Sequence, residues 1–280
     1  MDIYSYRRKK DLLTRAACVL AVVIAIIPLG LVLSYVTIQG IAGLNWAFFT
    51  QLPKPVGESG GGMANAIVGT LEIVALASAI GVPIGILAGV YLSECGNTRF
   101  SKVVRFSADV MSGVPSITVG LFVYGIIVLR TRQFSAWAGA VALAVLMLPT
   151  VTRTSEELLR LVPNTLREAA LGLGVSRWRA TLKVVLRTAA PGIATGVMLA
   201  VARVAGETAP LLFTAFGNRF WASSINQPTA TLPVQIYTYA VSPYDEWHRQ
   251  AWTAALVLLM LVLVLNFAAR WTLRQRVRSS

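Results

Sequence analysis

The chain is poor in the residues that most enzymes use for chemistry. It holds one histidine, His248, and two cysteines, Cys18 and Cys95, among 280 residues. A lone histidine argues against a His-based metal centre, and two isolated cysteines make neither a disulfide framework nor a zinc site. Nothing reads as a nucleophile elbow or as a phosphate-cradling Gly-Lys loop. Charge is scarce too: Asp, Glu, Lys and Arg make up 13% of the chain, about half the usual share in a soluble domain. No internal repeat stands out, whereas ion-coupled carriers often show repeated halves with interrupted helices. These absences exclude an ordinary soluble domain and disfavour an enzyme or an ion-coupled carrier. With no Walker-type sequence, any ATP that drives this protein is hydrolysed on a partner chain.

Apolar residues are plentiful, at 56%, and they fall into runs long enough to cross a bilayer. Arg7-Arg8-Lys9-Lys10 and Arg15 precede the uncharged run Ala16 to Ile38. That run is too long for a typical signal-peptide core and has no clean cleavage site after it, so it reads as a retained first span. Residues 39–64, with Pro53, Pro55 and Gly60-Gly61-Gly62, read as a polar loop. The pattern then predicts spans at about 66–92, 110–129, 134–152, 190–216 and 250–269, with a polar, aromatic-rich loop at 217–249. The expected fold is an all-α membrane protein with six transmembrane helices. Residues 1–63 hold the N-terminal arm, first span and loop, 64–270 the main membrane domain, and 271–280 a tail.

The formal charge of +13 does not point to nucleic acid, because Lys and Arg cluster at the ends of the apolar runs. Nineteen fall on the N-terminal arm, the loops 93–105 and 153–190, and the tail; five fall on the opposite side. The positive-inside rule therefore predicts that both termini are cytoplasmic, in contact with membrane lipid on every span.

One cationic insert is unusually long. Thr165 to Pro191 reads TLREAALGLGVSRWRATLKVVLRTAAP. Thr165-x-x-Glu168 fits a capping box, which predicts a helix from Leu166. Leu166, Ala169, Ala170 and Leu173 share one side of it, and Gly172 and Gly174 are candidate terminators. A second helix can begin at Ser176, with Trp178, Leu182 and Val185 or Leu186 on one stripe and Arg179, Lys183 and Arg187 on another. A basic amphipathic helix of this kind lies at a membrane surface.

The run Glu168-Ala169-Ala170 followed by Gly174 resembles the segment that permeases of ATP-binding-cassette (ABC) importers offer to their ATPase. The stretches Asn65-Ala-Ile-Val-Gly-Thr-Leu71, Gly113-Val-Pro-Ser-Ile117 and Gly206-Glu-Thr-Ala-Pro-Leu-Leu212 extend the likeness. Over residues 63–270 the chain resembles the PstA family, permease subunits of bacterial phosphate-specific importers. The resemblance implies the type I ABC importer transmembrane domain in a bacterial inner membrane. It further implies a PstC-like second permease, a PstB-like ATPase pair and a PstS-like phosphate-binding protein outside. No cofactor is expected in this chain, since ATP and Mg²⁺ would be bound by the partner ATPase. The family loop usually closes with Leu-Pro, whereas here Arg187 follows Leu186 and proline waits until Pro191. That departure bears on where the fifth span starts.

The resemblance casts Glu168, Ala169, Ala170 and Gly174 as the ATPase-coupling residues. Arg203 and Glu207, mid-span and four residues apart, are expected on one helix face as part of a substrate path with Thr208 and Ser116. Gly113-Val114-Pro115-Ser116 reads equally as a kink or as a path lining. Glu72 reads as a snorkelling or capping residue, Asp109 as a helix-start acid, and Trp137, Trp221, Trp247 and Trp252 as interfacial anchors. Other oxyanions, such as sulfate, molybdate or phosphonate, would suit the same architecture.

Overall fold

The computed structural model describes residues 3–58 and 60–278, and they form helices and connecting turns with no strand among them. That is what a bilayer demands of an open chain, because a helix bonds its own backbone groups. The side chains of Ile3, Ser5, Lys9 and 268–278 lie outside the described ones, and with them five of the expected flanking cations: Lys9, Arg270, Arg274, Arg276 and Arg278.

In chain order the helices are α1 (Ile3–Ile41), α2 (Trp46–Thr50) and α3 (Ala64–Glu94). Then follow α4 (Arg99–Gly113) and α5 (Ser116–Thr131), the latter with a π-helical turn at Tyr124–Val128. Next come α6 (Ala136–Arg160), α7 (Asn164–Gly172) and α8 (Arg177–Ala205), the last with a π-helical turn at Thr181–Val185. The chain ends with α9 (Ala209–Thr214), α10 (Leu232–Ala240) and α11 (Asp245–Arg278). Among the described residues α1, α3, α6, α8 and α11 are long and apolar enough to cross a bilayer, and counting the bent pair α4–α5 as one broken span brings the number to six.

The six crossings match the expectation, but several boundaries do not. The expected third span, 110–129, is broken: α4 and α5 meet at 107°. The cause is local. Pro115 has no N–H to continue a helix and forces the residue before it out of the α region; Val114 accordingly sits at φ −73°, ψ 130°. The sixteen residues of α5 span about 24 Å, short of the ~30 Å hydrocarbon core. The basic stretch 99–105 is the first half of α4 rather than a loop. The fourth span runs on to Arg160, eight residues past its expected end at 152. The fifth begins at Arg177, so Pro191 lies inside it, and it stops at Ala205 instead of 216. The supposed polar loop 217–249 contains α10, which buries Leu232, Pro233, Val234 and Tyr239, and the loop 39–64 contains α2, which buries Phe48. Composition hid both, since each short helix is anchored by contacts to distant segments. Leu232 N–H, for example, donates to Thr70 Oγ1 at 2.8 Å.

The centre of the bundle is the contact of α3 with α6. Gly81, Gly85 and Gly89 recur at four-residue spacing and so share one face of α3. A Cβ on Gly85 would stand 2.8 Å from Val151 Cβ, and one on Gly89 would stand 2.5 Å from Ser155 Cβ. In a bilayer, where lipid tails are as apolar as leucine, such close approach is what drives helices together. Around this seam Ile73, Val74, Ala77, Leu143, Met147, Val151, Ala200, Val204 and Leu211 form the main buried cluster. Gly85→Leu is expected to cost roughly 1–3 kcal/mol through overpacking and to lower the thermal-aggregation midpoint of the purified protein. Gly30→Leu on α1, where an added Cβ would meet no atom within 4 Å, should leave that midpoint unchanged.

Candidate functional site: a projecting helix and two interrupted spans

α7 stands between the end of α6 and the start of α8. It begins at Asn164 after Pro163, whose φ of −56° already suits a helix, and no side chain caps it. The expected Thr165–Glu168 capping box is therefore absent: Thr165 lies inside the first turn, with proline geometry starting the helix two residues earlier than the spacing predicts. The C-terminus agrees with the sequence reading. Gly174 has φ +78°, Val175 N–H donates to Ala170 O at 3.1 Å, and Gly174 N–H donates to Leu171 O at 2.9 Å. This pair of bonds is the Schellman motif, and it needs a left-handed residue at position 174. The following helix starts at Arg177 after Ser176, as the sequence suggests.

The four candidate coupling residues come together on this unit but do not face one way. Ala170 is buried, seating α7 on the bundle, while Glu168 and Ala169 are exposed at its surface. Leu173 is 85% exposed, with Leu166 and Leu171 also open. A short helix that presents three leucines beside a glutamate to water has the makings of a protein contact.

Behind α7 lies a charge network that the sequence did not disclose. Glu156 on α6 is 2% exposed. Its carboxylate accepts from Arg105 Nε of α4 at 2.6 Å, pairs with Arg160 Nη2 at 2.8 Å, and accepts from Arg153 Nη1 at 3.3 Å. Arg105 also donates to Gly96 O (2.9 Å) and Leu92 O (3.0 Å), closing off the end of α3. Arg153 pairs with Asp109. Asp109 is thus not the expected helix-start acid: α4 begins ten residues earlier, at Arg99, and the carboxylate is held by Arg153 instead. Only the i,i+3 and i,i+4 spacings of Arg153 and Arg160 to Glu156 were visible in the sequence; Arg105 and Asp109 come from another helix.

The candidate path residues occupy two breaks. Gly120 of α5 packs against Pro210 of α9, where a Cβ would lie 2.6 Å from Pro210 Cα. Further along, Tyr124 and Phe216 both meet Phe134, with ring centroids 6.2 and 4.9 Å apart respectively. α5 and α9 are thus packed neighbours, and each follows a break in the helical backbone, at 114–115 and at 206–208. Ser116 opens α5 and, like Glu207 and Thr208 in the second break, is half-buried. Arg203 is exposed in the last turn of α8, where the helix dipole favours a cation. The expected pairing of Arg203 and Glu207 across one helix face does not form. The helix ends at Ala205, between them, and no ion pair joins them among the described residues. The Pro115 and Pro210 flanks were the signals for these breaks. Glu72 is half-buried on α3, and no group of three or more His, Cys, Asp or Glu side chains could hold a metal ion among the described residues.

The same architecture occurs in solved transporters. A bacterial alginate ABC transporter, in complex with its alginate pentasaccharide-bound periplasmic protein, superposes with a TM-score of 0.68 at 15% identity, covering 95% of this chain and 96% of that one. The inward-facing methionine ABC transporter MetNI superposes with a TM-score of 0.59 at 21% identity, covering 76% and 96%. These likenesses establish the type I ABC importer transmembrane fold. In sequence, the phosphate transport system permease protein PstA of Yersinia pestis is 43% identical, with 95% of this chain and 90% of that protein covered. The Haemophilus influenzae PstA is 44% identical over 95% of both, and a probable PstA of Methanocaldococcus jannaschii is 37% identical over 91% and 90%. The family model for the binding-protein-dependent transport system inner membrane component matches residues 81–278. By fold and sequence alike, the chain belongs to that family of multi-pass ABC-transporter permeases.

Proposed function

We propose that this chain is a permease subunit through which inorganic phosphate enters the cell, driven by ATP hydrolysis on a partner. The observation that carries the reading is the near-full-length likeness to phosphate transport permeases at about two-fifths identity. The basic end of the bundle, with α7 on it, faces the cytoplasm, as the distribution of Lys and Arg argues, and both termini lie on that side of the inner membrane. α7 docks on one of two ATPase subunits that hold ATP and Mg²⁺, with Glu168, Ala169 and the exposed leucines in contact. A second permease completes the pore, and a phosphate-binding protein delivers cargo to the far side.

Two interruptions, each leading into one of the packed helices α5 and α9, support a path there. Broken backbone at membrane depth is tolerated where it lines a cavity, and helix N-termini opening on such a break favour anions. Ser116 starts α5 beside one break, Thr208 and Glu207 lie in the other, and Arg203 is exposed, open to the second permease. Another oxyanion remains the competing cargo. In proteoliposomes containing the full complex and its binding protein, phosphate should stimulate ATP hydrolysis and sulfate should not. Equal stimulation by sulfate would overturn the assignment of phosphate and leave the importer architecture standing.

A further inference from the structure

Arg167 and Glu94 are both placed where their own helices disfavour them. Glu94 is the last residue of α3, at the negative end of its dipole, and Arg167 sits in the first turn of α7, at the positive end. Each charge makes sense only through the other: the two form an ion pair between segments 73 residues apart. Arg167 also donates from Nη2 to Leu159 O at 3.0 Å, filling one of the carbonyls that α6 leaves open at its C-terminus. Its Nε is buried with no partner among the described residues, an arrangement that sacrifices stability at that atom. A residue so placed is held for its position.

The covalent chain ties α7 to α6 through 161–163 and to α8 through 173–176, but it offers no short link to α3. The guanidinium supplies that link, and α3 is the helix whose glycine face packs along α6. From this we infer that Arg167 and Glu94 form a strut that carries displacement of α7 into α3, and so into the central helix pair. Arg167 is a positioning residue, acting through α3 and α6 on the path. The inference rests on the reading of α7 as the ATPase contact. The polarity of the pair also follows: only a cation at 167 can serve the Glu94 carboxylate and the Leu159 carbonyl together.

The test uses the complete complex with its ATPase and binding protein. In Glu94→Gln and Arg167→Gln, the ATPase subunits should co-purify at unaltered levels and hydrolyse ATP, while phosphate taken up per ATP falls about tenfold. The charge swap Glu94→Arg with Arg167→Glu restores the ion pair to α3 but not the bond to Leu159 O, and should recover part of that ratio. A purely structural role would lower complex yield and leave the ratio alone. Unchanged uptake per ATP in both single variants overturns the strut, as does a swap that recovers nothing. Loss of the ATPase from the single variants makes the pair a docking element instead and equally overturns it. Failure of the underlying reading is separate: it appears as normal uptake and normal ATPase retention in Glu168→Lys.

Discussion

Gly174→Val should reduce phosphate uptake to the background of cells lacking the permease, with the protein still present in the membrane at its normal level. The space around Gly174 is open, with no atom within 4 Å of an added Cβ, so the penalty comes from the backbone. At φ +78° a β-branched residue costs roughly 1–2 kcal/mol, too little to unfold a bundle of this size. It is enough to release the two bonds that fix the end of α7, from Val175 N–H to Ala170 O and from Gly174 N–H to Leu171 O. On the proposed reading of α7 as the ATPase contact, a helix with a loose end would absorb the stroke in its own hinge. Gly174→Asn separates two reasons for glycine, since asparagine tolerates the left-handed region. Substantial uptake by the Asn variant identifies the turn as the requirement. If Asn fails as completely as Val, close approach of the ATPase backbone is the requirement. Normal transport by Val would reduce the segment to a connector.

Arg203→Gln should lower uptake about ten- to hundredfold, the rate equivalent of losing a charge-assisted contact of roughly 1.5–3 kcal/mol. An anion crossing a low-dielectric gap needs positive charge, and the planar guanidinium matches two oxyanion oxygens at once. Arg203 also completes the last turn of α8, a role that any cation fills. Arg203→Lys therefore decides between the two: full uptake would mean that only the helix terminus needed the charge, whereas loss of most uptake points to the fork. Glu207, in the break rather than on the helix, has a separate role. Phosphate near neutral pH still carries a proton that a carboxylate can accept in a hydrogen bond, and sulfate does not. Glu207→Gln should weaken phosphate uptake modestly and narrow its margin over sulfate. Uptake is compared at equal membrane levels, and full transport by both Gln variants would return both residues to structural duty.

What the sequence determined by itself was everything set by composition and short-range spacing. Runs of apolar residues gave six crossings, because bilayer thickness dictates the length of a run. Gly174 four residues past Ala170 gave the helix stop, because a left-handed turn is a property of one residue and its neighbours. The glycine seam was equally readable at Gly81, Gly85 and Gly89 and went unread, being three ordinary residues within a hydrophobic run. Tertiary structure decided the rest. Whether Pro115 bends a span gently or breaks it at 107° depends on what α5 packs against, and α5 has the α9 backbone at Gly120. Glu207 left the helix of Arg203 because Gly206 ends it there, a choice that α9, packed on α5 and α6, enforces. Glu156 collects guanidinium groups from α4 and α6, and Glu94 finds Arg167 across 73 residues. No local pattern encodes such pairs: an ionic contact between distant segments requires only that the fold bring them together, and burial makes the match obligatory once it has.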